Sequence, residues 1–364
     1  MRPIQPVHGL VLSLLVAACG DNLSSSATVD AHPADAGQVA KRFAHLVTFG
    51  DSLSDVGTYK VGTIATLGGG KYTVNGLAPG IWVEQLAAKL GLEAPCAAET
   101  GLDGDPTKGF SVAVADHAGC LNYAQGGARV TSPVGPGNKA LGGAAATLGQ
   151  LTIPVTKQLD HHLMIASHFA PDDLVTVIAG ANDLFINLAQ IGAGAGQISP
   201  DTAVANMAQA GDELARLIRV KIVAKGASHV VVLAVPDVSL TPFALSQTAQ
   251  TQGLIKAMTQ TFNDALTAGL APFPNQVLLV DTFTSSEDQS AHPSTYGITN
   301  VGAPACDLSA AKNPLSSSLV CSTQTLITGD TSKYLFADGV HPTPFGHSLL
   351  LKAVNEAMTT QGWM

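Results

Sequence analysis

Short apolar runs, rich in β-branched residues, recur along the chain and alternate with longer stretches whose apolar positions return every three or four residues. Leu46 to Phe49, Leu121 to Ala124, Leu174 to Ala179, His229 to Val235 and Gln276 to Asp281 read as strands. Residues near 81–90, 149–168, 203–225 and 250–269 read as helices. A last helix is expected from Pro344, with Thr343 as its N-cap and the proline in its first position. This alternation predicts an α/β fold with a central parallel sheet covered by helices on both faces. Ligands bind such sheets at the carboxyl ends of the strands, so chemistry is to be sought just behind each apolar run.

The two ends of the chain differ in kind. Arg2 precedes an apolar stretch from Leu10 to Ala18, too short to span a bilayer, and Cys19 follows it. Val16-Ala17-Ala18-Cys19 looks like the lipobox of bacterial lipoproteins, which implies cleavage before Cys19 and its lipidation. Residues 1–18 are then a signal peptide, and residues 19–40, rich in Ser, Ala, Asp and Pro, a flexible tether. The remaining 41–364 is expected to be one domain, held to the cell envelope by its lipid, at the outer membrane or cell surface. An ordinary cleaved signal and a secreted product is the alternative. Charged residues make up 12% of the chain and the net charge is −9, so a phosphate backbone would be repelled and nucleic acid is excluded as a partner.

Apart from Cys19 there are four cysteines, an even number for an oxidising compartment. Of the three possible pairings, the local ones, Cys96 with Cys120 and Cys306 with Cys321, are expected. No Cys-x-x-Cys pair exists, and His161 and His162 as neighbours on a helix point apart, so no metal and no cofactor are expected. Each pair falls in a segment, 91–120 or 282–335, longer than a connection requires. Such segments either wall the mouth of a site or are surface excursions stapled against proteolysis.

Behind the first strand stands Gly50-Asp51-Ser52-Leu53, and near the end of the chain Asp338-Gly339-Val340-His341-Pro342-Thr343. A serine hydroxyl becomes a nucleophile when an imidazole removes its proton, and the imidazole needs a carboxylate to fix its tautomer. Ser52, His341 and Asp338 supply the three groups. Between them lie Asn122-Tyr123-Ala124-Gln125-Gly126-Gly127-Ala128 and Gly180-Ala181-Asn182-Asp183, behind the second and third strands. These four blocks, in this order, resemble those of the GDSL or SGNH family of serine esterases and lipases. The resemblance implies a three-layer, flavodoxin-like domain over roughly residues 43–361. It also implies an oxyanion hole made by the backbone N–H groups of Ser52 and Gly127 and the side-chain amide of Asn182. Asp51 and Asp55 are expected to brace the turn around Ser52, and Asp183 to cap a helix. Tyr59, Tyr72 and Trp82 could line an acyl pocket or pack in the core.

The resemblance implies an exported esterase or lipase acting on small-molecule or lipid esters through an acyl-enzyme. Asn75-Gly76 followed by Trp82-Val83-Glu84 is similar to a segment of the lecithinase, phospholipase and hemolysin branch, which points to acyl glycerols or phospholipids. An O-acetyl esterase or acyltransferase of polysaccharide is the alternative. A surface lipoprotein that only binds a partner is a third reading, opposed by the presence of all five site residues.

Overall fold

A computed structural model describes residues 42–191 and 197–364; the expected signal segment, Cys19 and tether lie outside the described residues. The part beginning at Arg42 forms one compact unit. Its strands are β1 (His45–Gly50), β2 (Glu99–Asp103), β3 (Ser111–Asp116), β4 (Asp173–Ile178), β5 (His229–Leu233), β6 (Val277–Val280), β7 (Asn300–Pro304) and β8 (Tyr334–Phe336). The main sheet has the order β1-β4-β5-β6, all parallel, with Gly50 opposite Ile178 at its carboxyl edge.

Alternate residues of each strand enter opposite layers, as the two-residue period of a strand requires. Val47, Phe49, Val175, Val177, Val230 and Val232 pack beneath the helices Val155–Ala166, Pro200–Leu217 and Ala249–Leu270. Leu46, Leu174, Ile178, Val231 and Leu233 face the helices Trp82–Leu90 and Pro344–Thr360. Runs apolar on both faces are therefore central strands of a three-layer sandwich. The last helix starts as expected: Thr343 Oγ1 accepts the Gly346 N–H at 3.0 Å, and Pro344 stands first.

The expected strand 121–124 is only a bridge centred on Asn122, made by Thr48 N–H to Leu121 O and Tyr123 N–H to Thr48 O. Past it the chain swings across the end of β1, and Gln125 N–H donates to Gly50 O. With this short strand on its outer edge, the order becomes that of flavodoxin-like sheets, and β1 and β4 flank the point where the winding reverses.

Among the described residues the helix expected at Asp183 runs over Ala181–Ile191, while the pattern missed the helix Thr282–Ala291 and the antiparallel pair β2–β3 within 91–120. The helix expected over 203–225 leaves α geometry after Leu217, in a π turn at Ile218–Ile222 and a tighter turn at Val223–Lys225. Disulfides join Cys96 to Cys120 and Cys306 to Cys321. No described helix is long and apolar enough to cross a membrane.

Phe262 is fully buried, with its ring against the backbone of Gly180 just past β4. Phe262→Ala should lower the unfolding free energy by about 3–5 kcal/mol in urea titrations. A loss below about 1 kcal/mol would show that this layer does not carry the fold.

Candidate active site

Ser52 sits in the tight turn that leaves β1. Gly50, at φ 142°, approaches β4 so closely that a Cβ would lie 2.1 Å from Ile178 O, so only glycine fits. Gln158 holds both of its backbone groups: Gly50 N–H donates to Oε1 and Gly50 O accepts from Nε2, each at 2.8 Å. Asp51 Oδ1 accepts the Leu53 N–H at 3.1 Å and braces the turn around Ser52. Asp55 accepts from the N–H groups of Gly57, Thr58 and Gly126, which ties this turn to the 125–128 loop.

Far along the chain, Phe336 and Pro342 bridge and Ala337 N–H donates to His341 O at 2.7 Å, closing a tight loop over 337–341. Inside it the Asp338 carboxylate gathers donors. Oδ1 accepts from the N–H groups of Val340 (2.9 Å) and His341 (2.8 Å), and Oδ2 from Ser318 N–H (2.8 Å). His341 Nδ1 lies 2.9 Å from Oδ2. Burial by itself would raise the Asp338 pKa, but the neighbouring His341 charge and these hydrogen bonds hold it well below the usual carboxylate range.

A carboxylate only accepts, so Nδ1 carries the imidazole proton and Nε2 is left as an acceptor. His341 Nε2 lies 2.9 Å from Ser52 Oγ. A ring so placed can take the serine proton while the carboxylate balances the resulting charge. Tyr72 packs its ring against His341, with centroids 4.7 Å apart, and limits its motion.

Gly126 and Gly127 differ in one decisive respect. The Gly126 N–H is consumed by Asp55 Oδ2 at 2.9 Å, whereas among the described residues neither Gly127 N–H nor Ser52 N–H has an acceptor. Gly127 is at φ +79°, and a Cβ there would meet Pro136 O at 2.3 Å. Asn182 donates one amide hydrogen to Ala128 O at 2.9 Å, which orients the group beside this loop and leaves a second hydrogen to give. Asp183 does not cap its helix as expected. Its carboxylate reaches back to Arg129 Nε (2.9 Å) and Val130 N–H (3.0 Å), pinning the chain that follows Gly127.

Beside Ser52 and His341 opens a cavity of about 200 Å³, walled by Ala181, Phe185, Val238, Leu240, Phe336 and Leu350, with Asp237, Ser286 and Gln289 among its polar lining. Tyr59, Tyr72 and Trp82 are not among its walls: Trp82 is fully buried with Nε1–H on Ser54 Oγ, and Tyr59 O–H donates to Gly126 O. Segment 282–335 supplies Ser286, Gln289, Ser290 and Leu335 at its edges, while 91–120 supplies nothing to the lining.

A family model described as GDSL-like Lipase/Acylhydrolase matches residues 46–354. The chain belongs to this family. As a GDSL hydrolase it is an enzyme acting on carboxylic esters. No curated protein sequence matches it. Among solved structures, the GDSL chain is similar to an alpha/beta hydrolase from the metagenome of Lake Arreo, Spain, at 15% identity and TM-score 0.40, covering 88% of this chain and 98% of that one. An acetylxylan esterase from Geobacillus stearothermophilus matches at 12% identity and TM-score 0.40, covering 87% and 96%. Phospholipase A1 from Streptomyces albidoflavus NA297 matches at 14% identity and TM-score 0.41, covering 86% and 99%.

Burial pushes the Asp51 carboxyl up to about 7. The folded GDSL enzyme therefore keeps a proton here that the unfolded chain has released, so this residue's contribution is greatest at low pH and is lost as pH rises through about 7. Asp51→Asn, which keeps an acceptor for Leu53 N–H and does not titrate, should gain stability relative to wild type between pH 4 and pH 8, on the order of 4 kcal/mol. Thermal or urea unfolding at both pH values measures the difference, and an equal effect at both would contradict the assignment.

Proposed function

We propose that this protein is an exported serine hydrolase that cleaves esters carrying an apolar acyl chain, acyl glycerols or phospholipids among them, through an acyl-enzyme. The observation that supports this best is the unbroken line from the buried Asp338 carboxylate through the His341 ring to Ser52 Oγ. Ser52 Oγ attacks the ester carbonyl as His341 Nε2 takes its proton. The developing oxyanion is met by the N–H groups of Ser52 and Gly127 and by the second amide hydrogen of Asn182. Collapse returns the proton from Nε2 to the leaving alcohol. Water then attacks the acyl-enzyme by the same relay, releasing the acid and restoring Ser52 Oγ–H.

The cavity supports an acyl chain over an acetyl group. Its walls of Phe185, Val238, Leu240, Phe336 and Leu350 remove apolar surface from water in proportion to the length of chain inserted, which an acetyl group cannot exploit. Export is favoured by the N-terminal apolar stretch ending at Cys19 and by two disulfides, bonds that persist in oxidising compartments. A lipid on Cys19 would hold the domain, proposed to span 41–364, close to membrane lipids as substrate.

Hydrolysis of p-nitrophenyl esters from acetyl to palmitoyl checks both halves of the proposal. Wild type should favour chains longer than acetyl, and Ser52→Ala should abolish turnover at every length. Leu240→Trp, which fills the cavity without touching Ser52, should raise KM for the octanoyl ester about tenfold or more, while the acetyl ester changes less than threefold. Preference for acetyl in wild type, or equal effects of Leu240→Trp on both esters, would refute the acyl-pocket assignment.

A further inference from the structure

Away from the active site, β2 and β3 place Glu99 and Asp116 directly opposite one another, and His161 of the helix Val155–Ala166 turns its ring toward them. One ligand atom from each of the three lies within 4.8 Å of the other two, and His161 Nε2 is 3.5 Å from Asp116 Oδ1. Like charges directly across a strand pair repel. Among the described residues no Lys or Arg forms an ion pair with either carboxylate. The imidazole comes from a separate element, is mostly buried, and is steadied by the edge of Tyr123, with ring centroids 5.4 Å apart. Two carboxylates and an aromatic nitrogen thus converge from three elements without a side-chain cation of fixed charge to balance them.

We propose that Glu99, Asp116 and His161 bind a divalent cation of borderline hardness, Zn²⁺ or a close analogue. The donor set decides the class. Zn²⁺ accepts imidazole nitrogen together with carboxylate oxygen and is satisfied by three protein ligands and a water, whereas Ca²⁺ and Mg²⁺ prefer oxygen alone. Asp116 is largely exposed and free to close in from the present separation. Glu99 is also an anchor of the active-site loop: Gln125 Nε2 donates to Glu99 Oε1 at 2.8 Å, and Gln125 N–H donates to Gly50 O. The ion would therefore clamp the β2–β3 pair to the helix and stiffen the loop that carries Gly127. The site takes no part in proton transfer, and it stands or falls independently of the Ser52 chemistry.

Calorimetric titration of the purified protein with Zn²⁺, after removal of adventitious metal with a chelator, tests the assignment. One equivalent should bind and raise the unfolding temperature by several degrees. Affinity should fall tenfold or more in His161→Ala and Glu99→Gln, and in Asp116→Asn, a change on an exposed side chain that leaves packing intact. Ca²⁺ should produce a markedly smaller shift. The absence of saturable Zn²⁺ binding, or binding that survives unchanged in His161→Ala and Asp116→Asn, would overturn it.

Discussion

The Asp338 carboxylate is the group on which the site depends. It is buried, and a buried carboxylate stays ionised only if its oxygens are met by donors. Two of these are local, the N–H groups of Val340 and His341, and follow from the tight loop that bridges Phe336 to Pro342. The third, Ser318 N–H, comes from the long segment before β8, and that segment must be held in place from outside. Asn75 does this: its Nδ2 lies 3.1 Å from Ser318 O and 3.0 Å from Cys321 O, and the Cys306–Cys321 bridge ties the same strip to the chain beside β7. The charge that orients His341 is thus sustained by contacts among four stretches of chain, of which the one at Asn75 stands 243 residues from Ser318.

The other half of the site follows from sheet topology. Parallel strands send their connections to opposite faces at one point, and here that point lies between β1 and β4. Gly50 and Ile178 are register partners, so the turn carrying Ser52 and the helix carrying Asn182 start side by side. The bridge at Asn122 brings the 125–128 loop to the same edge from the other side. Gln158 then closes the arrangement by taking both backbone groups of Gly50, which fixes the height at which Ser52 leaves the sheet. The Ser52 hydroxyl, two unengaged backbone N–H groups and the apolar cavity are thereby gathered at one edge of the sheet.

What could be read in the sequence was what acts locally. The strands β1, β4, β5 and β6 stood out because each is a short run of apolar, mostly β-branched residues, and Ser52, Asp338 and His341 because the last two share one turn while Ser52 follows a strand directly; the fold brings these three side chains together. The run 121–124 misled as to length because its pairing depends on where the chain turns next, over Gln125 to Ala128, rather than on its own composition. The helix Thr282–Ala291 was invisible for a related reason: its sequence, TFTSSEDQSA, carries almost no apolar stripe, and it begins on Asp281, whose side chain accepts from Thr284 N–H. Ser318 and Gln158 could not be found at all, since one acts through its backbone and the other through an amide of common type. The Glu99, Asp116 and His161 cluster is equally hidden, because its members meet only once β2, β3 and the helix are assembled.

The central claim is that Ser52 is a nucleophile made reactive by a relay that begins at Asp338. A fluorophosphonate probe reads this directly, since it bonds covalently only to an activated serine, with loss of fluoride. Mass spectrometry of the digested wild-type protein should place one adduct on Ser52, and Asp338→Asn, folded to the same extent, should react roughly a thousandfold or more slowly. An adduct on a different serine, or an Asp338→Asn variant labelled at the wild-type rate, would contradict the account.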